Sequence, residues 1–67
     1  MAVASVSKIT AASPESFDDA VREGLTRAGK TLRGITGLHV LEQKASVTDG
    51  KIAEYRVTME VTFILEN

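Results

Sequence analysis

The feature that most constrains the fold lies in the last fifth of the chain, where apolar and polar residues alternate one by one. Tyr55, Val57, Met59, Val61, Phe63 and Leu65 share one parity; Glu54, Arg56, Thr58, Glu60, Thr62 and Glu66 share the other, and only Ile64 breaks the pattern. A period of two is the signature of a β-strand with one apolar face and one polar face. A strand this long needs pairing neighbours on its edges and a cover for its apolar side, so the rest of the chain must supply both.

The cover is read from the middle of the sequence. Phe17, Ala20, Val21, Gly24, Leu25, Ala28 and Leu32 recur every three or four residues, with Asp18, Asp19, Arg22, Glu23, Arg27 and Lys30 largely on other faces. That spacing predicts one amphipathic helix. Ser13 suits its cap, Pro14 its first position and Glu15 the positive end of its dipole, while Gly34 after Arg33 suits a left-handed stop. Gly24 and Gly29 weaken a helix by up to about 1 kcal/mol each relative to Ala, which points to close packing as the reason for their presence.

The pairing neighbours flank this helix. Val3–Thr10 is rich in Val, Ile, Ser and Thr, and Val3, Val6 and Ile9 suggest a short half-buried strand. Gly37–Val47 reads as a second strand, and Thr48-Asp49-Gly50-Lys51 as a tight hairpin turn into the third. A right-handed crossover makes strands one and two parallel, with the third inserted between them. The expected fold is therefore α+β, a βαββ unit whose three-stranded antiparallel sheet, order 1-3-2, packs on one helix. It forms a single domain over residues 1–67.

Such a unit is thin. At 67 residues with no cysteine and one histidine, neither a disulfide staple nor a structural zinc site is on offer, and one helix can cover only one face of the sheet. Association with copies of itself is the remaining source of buried surface. A net charge of −1 with interspersed signs gives no positive field for nucleic acid. The apolar runs fall far short of the roughly 20 residues of a membrane span, and Met1–Lys8 lacks a basic segment followed by an apolar one. A soluble cytoplasmic protein without nucleic-acid or membrane partners is expected.

Catalytic signals are sparse. There is no glycine-rich phosphate loop, metal-ligand cluster or Ser/His/acid set, so no enzyme is expected. His39, between Leu38 and Val40, reads either as a proton donor or ligand contact or as an ordinary strand histidine. Glu42, Glu54, Glu60 and Glu66 read either as carboxylates near symmetry axes, where copies need a cation, or as a solvated strand face. Arg27, Lys30 and Arg33 favour the negative end of the helix dipole and could also grip a nucleotide phosphate.

Several local patterns together resemble the dodecin family over nearly the whole chain. They are Ser13-Pro14-Glu15-Ser16-Phe17, Arg27-Ala28-Gly29-Lys30-Thr31-Leu32-Arg33, Val40-Leu41-Glu42-Gln43, Glu54-Tyr55-Arg56-Val57 and Met59-Glu60-Val61-Thr62-Phe63. The resemblance implies a hollow spherical homododecamer that binds riboflavin or FMN, stores or sequesters it and quenches its photochemistry without turnover. It further implies flavin pairs stacked in a pocket across a two-fold interface, sandwiched by an aromatic residue at the start of strand two and hydrogen-bonded by a glutamine of strand three. Some members also hold coenzyme A near the three-fold axes.

The sequence departs from that pattern at both flavin positions. Gly37 stands where the aromatic residue is expected and Arg56 where the glutamine is expected. Arg56 donates hydrogen bonds but lacks the acceptor that a glutamine oxygen offers a ring N–H. The resemblance thus implies a flavin site built from Gly37, Leu38, Gln43, Lys44 and Arg56, with weakened or altered affinity. The alternative is an oligomeric shell that binds a coenzyme A-like nucleotide through Arg27 and Arg33, or cations through the strand carboxylates. A small interface enzyme would rest only on His39 and Glu42.

Overall fold

The computed structural model describes residues 3–65. Its elements are β1 (Val3–Ser13), α1 (Phe17–Ala28), β2 (Ile35–Thr48) and β3 (Lys51–Leu65), and the sheet order is β1-β3-β2 with both pairings antiparallel to β3. The βαββ arrangement read from the sequence is the one observed.

The hairpin joining β2 and β3 forms where expected. Asp49 and Gly50 have φ values of 51° and 75°, the positive pair that a two-residue turn needs to match the twist of its strands. The register between these strands slips at Ile35/Gly37, Val40/Glu42 and Ser46/Val47, so Thr36 and Leu41 are extra residues on β2.

Three local expectations are corrected, all for one reason. β1 continues past Thr10 to Ser13, because Ala11, Ala12 and Ser13 pair with Val57, Arg56 and Tyr55. Ser13 is therefore extended and does not cap the helix, nor is Pro14 its first residue. The cap is Ser16, whose Oγ accepts the Asp19 N–H at 2.9 Å. Ser13 instead ties the end of β1 to the helix start: its Oγ donates to Asp19 Oδ2 at 2.6 Å and accepts the Glu15 N–H at 2.9 Å, in a side chain only 2% exposed. Ser13→Ala leaves both partners unmatched and should cost about 1–3 kcal/mol, measurable as a lowered denaturation midpoint. A midpoint equal to the wild type would show that the junction contributes nothing.

Register against β3 decides which face of β1 meets the helix. Val3 and Val6 are 61% and 54% exposed, and Val6 pairs with Thr62 on the side without the helix. The covered side carries Ser5, Ser7, Ile9, Ala11 and Ser13, opposite Phe63, Val61, Met59, Val57 and Tyr55. Small residues there allow the helix to approach closely.

The helix ends at Ala28 rather than Leu32. The Lys30 amide bonds the Arg27 carbonyl, and the Thr31 and Leu32 amides both bond the Ala28 carbonyl, in a tight closing turn. Gly34, at φ 71°, does not stop the helix. It turns the chain into β2, and its carbonyl accepts the Ile64 N–H at 2.9 Å.

The core is small. α1 packs on β1 and β3, and among the described residues the buried apolar side chains are Ala20, Ala28, Val57, Met59 and Val61, with Gly24 on the inner face of the helix. Phe17 and Tyr55 close one end edge to face, with centroids 5.0 Å apart. No residue of β2 is buried. The molecule extends 52 × 19 × 13 Å with a radius of gyration of 13.8 Å, against about 11 Å for a compact domain of this length. The excess is the β2–β3 ribbon projecting past the helix, with Val47 and Ile52 paired and both more than half exposed.

Candidate functional site

The side of the sheet without the helix carries the chemistry. Direct pairing across β3 arranges it in rows: Val6–Thr62–Gly37, Lys8–Glu60–His39, Thr10–Thr58–Glu42 and Ala12–Arg56–Lys44. Opposed residues of paired strands point to the same face, so each row is a line of neighbouring side chains.

Two ion pairs run along the strands. Arg56 Nη2 donates to Glu54 Oε1 at 2.7 Å, and Lys44 Nζ lies 3.6 Å from Glu42 Oε1. Within each pair the residues are two positions apart on one strand, hence on one face. The sequence carried this signal as Glu42-Gln43-Lys44 and Glu54-Tyr55-Arg56, but the strand carboxylates were read there as solvated or axial groups. In the next row Thr10 Oγ1 and Thr58 Oγ1 share a hydrogen bond at 3.1 Å, and in the row after it the exposed His39 places Nδ1 4.0 Å from Oε1 of the half-buried Glu60. Glu66 lies outside the described residues.

The five residues assigned to a flavin site do not converge within one chain. Gly37, Lys44 and Arg56 lie on the helix-free face, whereas Leu38 and Gln43 oppose Val61 and Val57 and so belong to the other face. Gly37 pairs with Thr62, six residues along β3 from Arg56, a separation of about 20 Å at roughly 3.4 Å per residue. One ring cannot stack at Gly37 and hydrogen-bond Arg56 in the same chain. Gly37 itself is open: a Cβ added there meets nothing within 4 Å, and its φ lies outside the left-handed region.

Arg27 and Arg33 are also separated. Arg27 lines a groove of about 750 Å³ between α1 and β1, together with Glu23, Lys30 and Thr31. Arg33 lines a shallower depression of about 320 Å³ with Leu32, Phe63 and Leu65. Among the described residues, no group of three or more His, Asp or Glu side chains is arranged to hold a metal ion. No helix among them is long and apolar enough to cross a membrane.

Comparison with known proteins decides the family. The family model described as Dodecin matches residues 3–66. The chain belongs to the dodecin family. The dodecin of Thermus thermophilus is 34% identical over 59 residues, covering 88% of this chain and 86% of the relative. Among solved structures, the dodecin from Streptomyces davaonensis superposes with a TM-score of 0.94 at 38% identity, covering 98% of this chain and 97% of that one. A calcium-chelating immunodominant antigen from Mycobacterium tuberculosis, described as a calcium dodecin with a novel calcium-binding site, superposes with a TM-score of 0.82 at 35% identity, covering 96% and 91%. Membership of the dodecin family accounts for the βαββ order and the 1-3-2 sheet together.

Proposed function

We propose that the protein is a non-catalytic flavin store or sequestering protein. It assembles as a hollow homododecamer and takes riboflavin or FMN at its subunit interfaces, with affinity altered by Gly37 and Arg56. The observation that carries this reading is the distance of about 20 Å between Gly37 and Arg56 along the open face of a dodecin-family sheet. A flavin pocket using both is complete only when one protomer contributes Gly37 and a partner contributes Arg56, as a two-fold contact allows. Leu38 and Gln43, on the other face of the exposed β2, contribute through main-chain groups or from a further copy.

The scant core supports assembly independently. Five buried apolar side chains among the described residues, and a projecting ribbon, leave a lone chain short of buried surface, and copies of itself supply the deficit. The alternative shell, binding a coenzyme A-like nucleotide or a cation, draws less support. Arg27 and Arg33 line different cavities, and Glu42 and Glu54 already face Lys44 and Arg56.

Native mass spectrometry of the protein as isolated, followed by riboflavin and FMN titration, tests the reading. The expected result is a twelve-subunit mass and quenching of flavin fluorescence at micromolar protein. A folded monomer, or flavin fluorescence that stays unquenched, would remove the function proposed.

A further inference from the structure

We propose that the tip of the β2–β3 ribbon docks in the α1–β1 groove of a second copy, in a head-to-tail contact that closes a ring of three; the inference rests on the twelve-subunit assembly proposed above. It starts from a mismatch of lengths. α1 has 12 residues and spans about 18 Å, whereas β3 has 15 and spans about 50 Å, so the helix covers less than half of the ribbon. The apolar stripe of the core does not stop where the helix does. Ala45 pairs with Tyr55 on the covered side, Val47 stands two positions further along β2, and the extra residue Ala53 on β3 brings Ile52 opposite it. Val47 and Ile52 therefore continue the helix side of the sheet past Phe17 and Tyr55, beyond the reach of their own helix and 63% and 51% exposed.

An apolar pair at the end of an arm is buried by an apolar recess, and the molecule offers one that its own tip cannot fill. The groove of about 750 Å³ between α1 and β1 is lined by Ile9, Ala11 and Ala28, with Glu23, Arg27 and Lys30 along it. It lies against the C-terminal half of the helix, while the tip projects from the N-terminal end, past Ser13 and Tyr55. The charges match as well. Asp49 and Lys51 sit in the turn between the apolar pair, and the groove offers Arg27 and Lys30 to the first and Glu23 to the second. Among the described residues, none of these five charged groups takes part in an ion pair within the chain.

Tip and groove are different patches, so their contact is heterologous and repeats head to tail until a ring closes. A hollow shell of twelve equivalent copies has two-fold and three-fold axes. The pocket that joins Gly37 to the partner's Arg56 uses the first, which leaves the second for the ribbon.

The chain contains no cysteine, so introduced thiols report the contact without interference. Full-length protein carrying both I52C and T26C, the second position lining the groove, is treated as the assembled particle with a short bifunctional thiol reagent and separated under denaturing conditions. Bands of two and three chains, and none larger, are expected. One cysteine per chain can join only two chains, so neither single variant should give the three-chain band. Independently, V47D/I52D alters positions already exposed in the protomer; it should keep the wild-type circular dichroism and lose the twelve-subunit native mass, leaving pairs.

Cross-links that are absent, stop at two chains or run on beyond three overturn the inference, as does a V47D/I52D protein that still assembles to twelve. Any of these beside a wild-type mass of twelve subunits would leave the assembly and flavin reading standing. A wild-type protein that is monomeric would remove the two together.

Discussion

Gly37→Trp combined with Arg56→Gln should raise riboflavin affinity by about one to two orders of magnitude. The aromatic residue has room: an added Cβ at position 37 meets nothing within 4 Å, and the backbone there is in a region that any residue adopts. Strand positions favour tryptophan, so the change should leave folding nearly untouched. An indole stacked on a flavin contributes about 0.5–1.5 kcal/mol beyond the area that it buries, and a symmetric pocket repeats that contact. Replacing Arg56 removes the like-charge opposition to Lys44 and supplies an acceptor for the ring N–H. Fluorescence-quenching titration measures the gain, with native mass checked beside it. An assembled variant with affinity no better than the wild type would show that position 37 does not face the ligand.

Met59→Ala should cost about 2–5 kcal/mol. Met59 is the largest of the fully buried side chains and lies on β3 beneath α1, in a core with little else to collapse into the space. Its neighbour Gly24 makes the opposite error available. A Cβ on Gly24 runs into Met59 Cε and falls 3.1 Å from Ala11 Cβ. Alanine gains up to about 1 kcal/mol of helix propensity at that position, and overpacking a full core costs about 1–3 kcal/mol, so Gly24→Ala should also destabilise. The two changes should not add. In the double variant the new methyl occupies space that the methionine vacates, and a double-mutant cycle should return a favourable coupling of about 1 kcal/mol. Denaturant melts must be run at one protomer concentration, because assembly adds a concentration-dependent contribution. Strict additivity of the two losses would mean that the helix does not rest on Met59.

Ser13 illustrates why element boundaries moved while element identities did not. Capping chemistry was visible in Ser13-Pro14-Glu15-Ser16, and two serines in that stretch can perform it. The choice fell to Ser16 because Ser13 pairs with Tyr55, a partner more than forty residues away that no local pattern encodes. The side on which Val6 lies was open for the same reason. A strand of Val, Ser, Ala and Thr carries no sharp alternation, and its facing side is set by register against β3 rather than by its own composition.

The candidate site divides along similar lines. Gly37 and Arg56 stood out as departures from a family pattern, and both lie on the helix-free face with Lys44. Leu38 and Gln43 were grouped with them by nearness in sequence, which in a strand alternates between faces and is altered further by the bulge at Leu41. The opposition of Lys44 and Arg56 arises from hairpin register and could not be read from either strand alone, whereas the pairing of each with a carboxylate two positions away lies within its own strand.

The number and order of elements, the hairpin at Asp49-Gly50, the apolar face of β3 and the shortage of core were all legible in the order of amino acids. These depend on side-chain periodicity, turn chemistry and length, all short-range or global quantities. Folding was needed to show which serine caps the helix, which side of β1 is covered, why Gly24 carries no side chain, and that Gly37 and Arg56 of one chain lie too far apart to meet one flavin ring. Those follow from contacts between distant segments, whose register is set by the cooperative packing of the whole sheet against the helix.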